Sequence, residues 1–152
     1  MGHIKFDISN EVLALDTPVF IYFLERHPIY FTLVKEIFTR IEKGDLQAAA
    51  SSLAFTEIFV PGYRHKMYSQ ILDVFRLLTN FPNLRFTDIS PSIAREAARI
   101  RAEYNLRTPD ALHVATALDV QADAFVTNDQ GLQVVSPEIH VLLLKDWVDK
   151  EE

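Results

Sequence analysis

The chain has 152 residues, of which 49% are hydrophobic and 24% are charged, a composition typical of a globular protein and not of a disordered one. It contains no cysteine, which excludes a disulfide framework, a thiolate zinc site and a cysteine nucleophile. A formal net charge of −6 argues against a protein that holds nucleic acid by bulk positive charge, but not against an enzyme that meets phosphates through a carboxylate-bound metal ion.

Targeting and domain signals are few. No apolar run reaches the ~18 residues that a membrane-spanning helix needs. The N-terminus has no basic segment followed by an apolar one, so no signal peptide is predicted. With four glycines, no Gly/Ser linker and no internal repeat, the sequence predicts one domain over residues 1–152. Residues 1–11 form an extension of unknown role, and we expect a cytoplasmic protein that makes no membrane contact.

Strands and helices alternate along the chain. Short apolar runs bounded by turn residues predict five strands, at residues 12–15, 48–53, 84–87, 124–126 and 139–144. Apolar residues at helical spacing predict six helices between them, at residues 19–24, 30–43, 55–60, 67–78, 91–104 and 111–120. Several strands are continuously apolar, as is typical of strands buried on both faces. The pattern therefore predicts an α/β fold, a three-layer sandwich with helices on both faces of a mostly parallel five-stranded sheet.

Two proline-containing turns predict where helices end and begin. The pair Pro61 and Gly62 should break the helix that starts at residue 55. Thr108 is the expected cap of the last helix, with Pro109 as the first helical residue. Asp110 then falls in the first turn, where the helix dipole favours an acid.

Four acidic residues, distant in sequence, are predicted to meet at one edge of the sheet. Asp16 follows the first strand directly, and Asp129 comes after the fourth, separated from it by Thr127 and Asn128. Glu57 lies one turn into the helix after the second strand, and Asp110 lies at a helix start that should open toward the same edge. Close carboxylates repel one another unless a cation lies between them. Oxygen ligands without cysteine or paired histidine indicate Mg²⁺ or Mn²⁺.

Taken singly, each acid has a simpler explanation. Asp16 can cap the following helix, and Asp110 can serve the helix dipole alone. Asp129 fits ordinary turn chemistry beside an asparagine, and Glu57 fits a solvated helix surface. Four acids at one predicted edge are harder to explain as four independent coincidences.

The acids lie in motifs that resemble a PIN domain and, more narrowly, the VapC-like toxins. The similarity extends over about residues 12–146, nearly the whole chain. Its most specific parts are the run Arg-Thr-Pro-Asp-Ala-Leu-His-Val-Ala-Thr-Ala-Leu at 107–118 and Thr-Asn-Asp at 127–129. The other matching features are Leu-Asp-Thr at 15–17, the glutamate after the second strand, and Pro-Gly-Tyr-Arg at 61–64.

The resemblance implies a metal-dependent endoribonuclease with a parallel five-stranded sheet, which acts as the toxin of a type II toxin–antitoxin pair. It implies RNA as the substrate, Mg²⁺ or Mn²⁺ as the cofactor, an antitoxin as the partner, and a homodimer. By position, the catalytic and metal-binding acids are Asp16, Glu57, Asp110 and Asp129. We expect Asp16 and Asp129 to bind the metal directly, Asp110 directly or through water, and Glu57 through water. The polar residues that would support these carboxylates are Thr17, Thr127 and Asn128.

A few further residues bear on the interpretation. Many relatives have asparagine at the position of Pro18, so this chain lacks one side-chain amide beside the site. Arg64 and Lys66, in the loop after the glutamate helix, are the cations best placed to meet an RNA phosphate. His113 lies one turn after Asp110, where a packed, hydrogen-bonded histidine is the simpler expectation and a place in the site the alternative.

The main competing function is a catalytically inactive PIN-like module that binds protein or RNA. The intact set of four acids speaks against that alternative. A phosphoacceptor receiver domain would need an acid pair after the first strand, and a haloacid-type phosphatase would need Asp-x-Asp there. The sequence Asp16-Thr17-Pro18 fits neither pattern.

Overall fold

The computed structural model describes residues 11–148. The prediction of an extension therefore falls, except for Glu11, outside the described residues. The strands are β1 (Val12–Leu15), β2 (Gln47–Ser51), β3 (Leu84–Thr87), β4 (Ala124–Thr127) and β5 (His140–Leu143). The helices are α1 (Thr17–Leu24), α2 (Phe31–Lys43), α3 (Leu53–Arg64), α4 (Tyr68–Thr79), α5 (Pro91–Tyr104) and α6 (Thr108–Asp119). Among these described helices, none has both the length and the apolar character needed to cross a membrane.

The five strands form one parallel sheet in the order β3-β2-β1-β4-β5. The first strand is thus the central one, with Ala14 beside Ala49 on one side and beside Phe125 on the other. Each crossover carries at least one helix or a 3₁₀ turn, as parallel connections require. The α/β prediction is confirmed.

Alternating residues of β1 point into two separate apolar cores. Leu13 and Leu15 pack with Val34 and Phe38 of α2 on one face. Ala14 packs with Ile100 of α5 and with α6 residues on the opposite face. Since successive strand side chains point to opposite faces, one short strand serves both layers. The three-layer arrangement fixes the carboxyl end of β1 at the middle of the sheet edge.

The helix of the second crossover is longer than predicted. The sequence predicted a helix at 55–60 that Pro61 and Gly62 would break, yet α3 runs from Leu53 to Arg64 and includes both. The proline removes a single backbone hydrogen bond, to the carbonyl four residues earlier, close to the helix end. Gly62 lets α3 approach α4 closely, since a Cβ there would lie 2.9 Å from a side-chain atom of Ile71. Packing of the two helices compensates for the lost bond.

The start of α6 also differs from the prediction. Thr108, the expected cap, is the first helical residue, and Arg107 is the N-cap with extended backbone angles. The Arg107 carbonyl accepts the first helical hydrogen bond, from Ala111 N at 3.0 Å. Backbone conformation therefore defines this end, without a side-chain cap. Asp110 lies in the first turn as predicted.

Candidate active site

Asp16 is held at the carboxyl end of the central strand by two hydrogen bonds. Its Oδ1 accepts from the Thr17 backbone N–H at 2.8 Å, and its Oδ2 accepts from Thr127 Oγ1 at 2.7 Å. The second bond joins β1 to the adjacent β4, because Thr127 is the last residue of β4. Asp16 is also the N-cap of α1, which has Pro18 in its first turn. The capping interpretation and the site interpretation are therefore compatible.

The Asp16 carboxyl is in an environment that disfavours its charge. It is only 5% exposed. Burial raises its pKa above the ordinary range, and the nearby charge of Asp110 raises it further. The positive charge of His113 and the hydrogen bonds from Thr127 and Thr17 oppose this rise without cancelling it. A cation close to the carboxylate would relieve the remaining cost.

Glu57 reaches the same place from α3. Its Oε1 accepts from Thr17 Oγ1 at 2.8 Å and lies 2.6 Å from His113 Nε2. The side chain is 38% exposed, so it lies between the buried groups and solvent. The hydrogen bond with His113 lowers the pKa of Glu57 below its usual value, although partial burial opposes it. Glu57 is therefore a fixed carboxylate at the opening of the site.

His113 occupies the interior of this cluster. It is 3% exposed, and its Nε2 lies 3.3 Å from Thr17 Oγ1 and 3.9 Å from Asp16 Oδ1. Burial lowers its pKa, but the bond with Glu57 and the charge of Asp16 raise it more, so the net shift is upward. The sequence put His113 one helical turn from Asp110. The structure shows that it is packed and hydrogen-bonded, as expected, and that its bonding partners are residues of the site.

Asp110 joins the cluster through its charge. Its negative charge raises the pKa of both Asp16 and His113. Its Oδ2 lies 3.4 Å from the Nε of Arg107, whose side chain is 81% exposed. The Arg107 charge also lowers the pKa of Glu57. A cation therefore stands at the solvent side of the carboxylates.

Asp129 is connected to Asp16 through the Thr127 hydroxyl. The backbone N–H of Asp129 donates to Thr127 Oγ1 at 3.1 Å, while that hydroxyl donates to Asp16. The Oδ1 of Asp129 accepts from Gly131 N at 2.9 Å and caps the following 3₁₀ turn, Gln130–Val135. The turn interpretation is therefore correct for one of its oxygens.

Asn128 has partners other than the expected carboxylates. Its side-chain nitrogen donates to Tyr22 Oη at 3.2 Å, and its side-chain oxygen accepts from Lys145 N at 3.0 Å. These bonds tie the loop after β4 to α1 and to the 3₁₀ turn Leu144–Asp146 that follows β5. Asn128 thus supports the loop that carries Asp129, and none of the four acids is among these partners.

The two cations predicted to contact RNA lie at the far end of α3. Arg64 is the last residue of that helix and is exposed. Lys66 follows in the turn to α4 with a left-handed backbone, at φ 57°. A different cation, Arg107, lies beside the carboxylates, with its Nε 3.4 Å from Asp110 Oδ2.

The donor chemistry of the cluster fits a hard divalent cation. Carboxylate oxygens dominate it, and Mg²⁺ and Mn²⁺ prefer oxygen ligands. Within residues 11–148, however, no three His, Asp or Glu side chains already form a group that could hold a metal ion. Hydrogen bonds connect Asp16, Glu57 and His113 through Thr17. The charge of Asp110 acts on Asp16, and the backbone N–H of Asp129 bonds to the threonine that holds Asp16. The sequence prediction of these four as metal ligands stays a prediction.

Comparison with known proteins identifies the fold. The VapBC2 complex of Rickettsia felis, crystallised with a DNA fragment from their promoter, matches with a TM-score of 0.67 and 18% identity, covering 87% of this chain and 98% of that one. VapBC-1 of nontypeable Haemophilus influenzae matches with a TM-score of 0.68 and 16% identity, covering 88% and 98%. A toxin–antitoxin complex from Klebsiella pneumoniae matches with a TM-score of 0.65 and 20% identity, covering 87% and 97%.

The sequence comparisons agree at the level of the family. No curated protein shows significant similarity to the chain. The PIN domain model matches residues 13–136, from within the central strand to the turn after Asp129. That span includes the four acids, His113, Thr17 and Thr127. The chain belongs to the PIN domain family.

Proposed function

We propose that this protein is a metal-dependent endoribonuclease that acts in the cytoplasm as the toxin of a type II toxin–antitoxin pair. The observation that carries the proposal is the environment of Asp16. A buried carboxyl at the end of the central strand has its charge disfavoured by burial and by Asp110, while Glu57 is bonded to the same threonine. Proteins retain such clusters mostly at functional sites.

Mg²⁺ or Mn²⁺ would be held by Asp16, Asp110 and Asp129, with Glu57 acting through water. When bound, such an ion lowers the pKa of a water molecule and stabilises charge on the oxygens of a phosphodiester under attack. The residues of the chain prepare this chemistry. Thr127 orients one oxygen of Asp16 at 2.7 Å, and Thr17 fixes both its other oxygen and Glu57. Low solvent access to Asp16 strengthens its attraction to a cation.

RNA would approach from the side of α3 and the α6 N-terminus. Arg107 stands at the opening, where its exposed guanidinium can meet a phosphate and leave Asp110. Arg64 and Lys66 would contact more distant phosphates, since both are exposed at the C-terminal end of α3. The formal charge of −6 means that such contacts must be local. Because only a few cations would bind phosphates, the affinity for RNA should fall only slowly as the salt concentration rises.

An antitoxin is the partner that we propose for the outer face of α3 and α4. This face exposes large apolar side chains, 57% of Tyr68, 51% of Leu72 and 42% of Phe75 among them. Contiguous exposed apolar residues mark interaction surfaces more often than chance would allow. The Klebsiella pneumoniae structure is described as a toxin–antitoxin complex. A homodimer, implied by the family resemblance, is proposed with it.

The test is cleavage of a tRNA pool with Mg²⁺ or Mn²⁺ by the wild type and by Asp16→Asn. We expect the variant to lose at least about 100-fold in rate, because outer-sphere partners of metal ligands alone cost 10–100-fold. Asp73→Asn is the matched control, since it makes the same chemical change at an exposed position of α4. Equal cleavage by wild type and Asp16→Asn would refute the mechanism.

The competing function is a binding module without catalysis. The observation in its favour is that the described side chains form no ready-made group of three metal ligands. A thermal shift with millimolar Mn²⁺ separates the two functions. Stabilisation of the wild type but not of Asp16→Asn supports the nuclease. RNA binding without cleavage and without a metal effect supports the module.

A further inference from the structure

We infer that His113 is the positioning residue that holds Glu57 against Asp16 in the site, a role that rests on the proposed function. His113 comes from α6 and Glu57 from α3, and Nε2 and Oε1 are 2.6 Å apart. The histidine is buried, whereas Glu57 is 38% exposed. A long, part-exposed carboxylate is thereby fixed by a rigid ring on a packed helix.

The hydrogen-bonding of the ring shows that it serves the site. A glutamate carboxylate only accepts, so Nε2 carries the proton and donates to Glu57. The other ring nitrogen, Nδ1, is buried and has no hydrogen-bond partner among the described residues. A buried histidine that served packing alone would be expected to satisfy both nitrogens. Within residues 11–148, the polar contacts of the ring are made by Nε2, to Glu57, Thr17 and Asp16.

The same ring nitrogen is close to both carboxylates. Nε2 is 2.6 Å from Glu57 Oε1 and 3.9 Å from Asp16 Oδ1. Thr17 completes the arrangement, since its hydroxyl donates to Glu57 and its backbone N–H donates to Asp16. His113 and Thr17 together define how closely Glu57 approaches Asp16. Removing the His113 donor leaves Glu57 with only the threonine hydroxyl and frees its outer side-chain torsions.

The experiment measures Mn²⁺ affinity by isothermal titration calorimetry in a double-mutant cycle. His113→Asn is too short to reach Glu57, whereas His113→Gln can place an amide N–H near the position of Nε2. We expect His113→Asn to weaken Mn²⁺ binding by about 10-fold or more, as loss of a ligand-orienting partner typically does, and His113→Gln to restore most of the affinity. In a Glu57→Gln background, the difference between the two histidine variants should disappear.

Thr116→Val is the control for general damage to α6. Thr116 is buried on the same helix, and its hydroxyl donates to the Leu112 carbonyl at 2.8 Å and not to the site, so this variant should bind Mn²⁺ like the wild type. A cooperative unfolding transition in EDTA shows that each variant is folded. If His113→Asn does not fold, the Mn²⁺ affinities of His113→Gln and Thr116→Val are compared instead.

Three results would overturn the inference. If His113→Asn lowers the Mn²⁺ affinity equally in the wild-type and Glu57→Gln backgrounds, the role of His113 is structural. If His113→Asn leaves Mn²⁺ binding unchanged or makes it tighter, His113 does not position the ligand. A wild type that binds no Mn²⁺ would refute the proposed function together with this role. Wild-type binding that is abolished by Asp16→Asn but indifferent to His113 refutes the inference alone.

Discussion

Replacing Thr127 by valine tests whether one hydroxyl holds the two strand ends of the site together. The side chain is fully buried, and valine has nearly the same shape, so no cavity forms. The substitution removes a charge-assisted bond to Asp16 at 2.7 Å and the acceptor of the Asp129 N–H at 3.1 Å. A bond to a charged group is worth about 1.5–3 kcal/mol and a neutral one about 0.5–1.5 kcal/mol. We expect Thr127→Val to lower the free energy of unfolding by about 2–4 kcal/mol at pH 7.

The cost should depend on pH in a defined direction. The Thr127 hydroxyl stabilises the charged form of Asp16, so it lowers the pKa of that carboxyl. Its removal therefore penalises the folded protein most where Asp16 is ionised. Because burial has already raised the Asp16 pKa above its ordinary value, protonation of the folded state begins at higher pH than in the unfolded chain. The destabilisation should shrink as the pH falls from 7 to 4.

The assay is urea unfolding followed by circular dichroism, in EDTA, at both pH values. Thr127→Ser is the matched control because it keeps the hydroxyl and loses one buried methyl group, worth about 1 kcal/mol. A loss below about 1 kcal/mol for Thr127→Val at pH 7 would contradict the hydrogen-bond argument. So would a loss that is as large at pH 4 as at pH 7.

Three further substitutions test other parts of the structure. Glu57→Gln removes one side of the pair with His113. Because the pKa of His113 is raised on folding, the pair stabilises the protein fully below the unfolded value of 6.5. Because the pKa of Glu57 is lowered on folding, the pair stabilises the protein fully above the unfolded value of 4.5. Urea unfolding from pH 4 to 9 should therefore show the largest loss of unfolding free energy between about pH 5 and 6.5, and a smaller loss on either side. Gly44→Ala forces a side chain into the left-handed end of α2 at φ 87° and should cost about 1 kcal/mol, measured as a melting temperature lower by 2–4 °C. Gly62→Val overfills the contact of α3 with Ile71 and should cost about 1–3 kcal/mol in urea unfolding, and an unchanged midpoint would mean that the helices separate freely.

The sheet was predictable because its strands carry the signal in their own residues. Continuous apolar runs such as Val12–Leu15 identify strands that are covered on both sides, whatever lies far away in the chain. The helix around Pro61 was not predictable in the same way. The local signal there is a break, and it is overruled by the packing of Gly62 against Ile71, nine residues later, a contact that the sequence does not indicate. Local rules fail where tertiary packing compensates for a lost hydrogen bond.

The candidate site also has parts that local sequence patterns predict and parts that depend on tertiary packing. The positions of Asp16 and Asp110 at element ends follow from local patterns. The bond between Glu57 and His113 spans 56 residues and depends on how α3 and α6 approach each other. Spacing alone does not give that distance. Likewise, the polar run after β4 predicts a turn, but the partners of Asn128 belong to α1 and to the turn that follows β5.

The strand order has a consequence for synthesis on the ribosome. Thr127 and Asp16 are 111 positions apart, yet they are neighbours across the central pair of strands. Until β4 has been translated and has left the exit tunnel, Asp16 lacks its Thr127 partner and the loop of Asp129 does not exist. A nascent chain therefore carries an unfinished site for most of its elongation. The last third of the polypeptide, which contains Asp110, Thr127 and Asp129, therefore completes the candidate site.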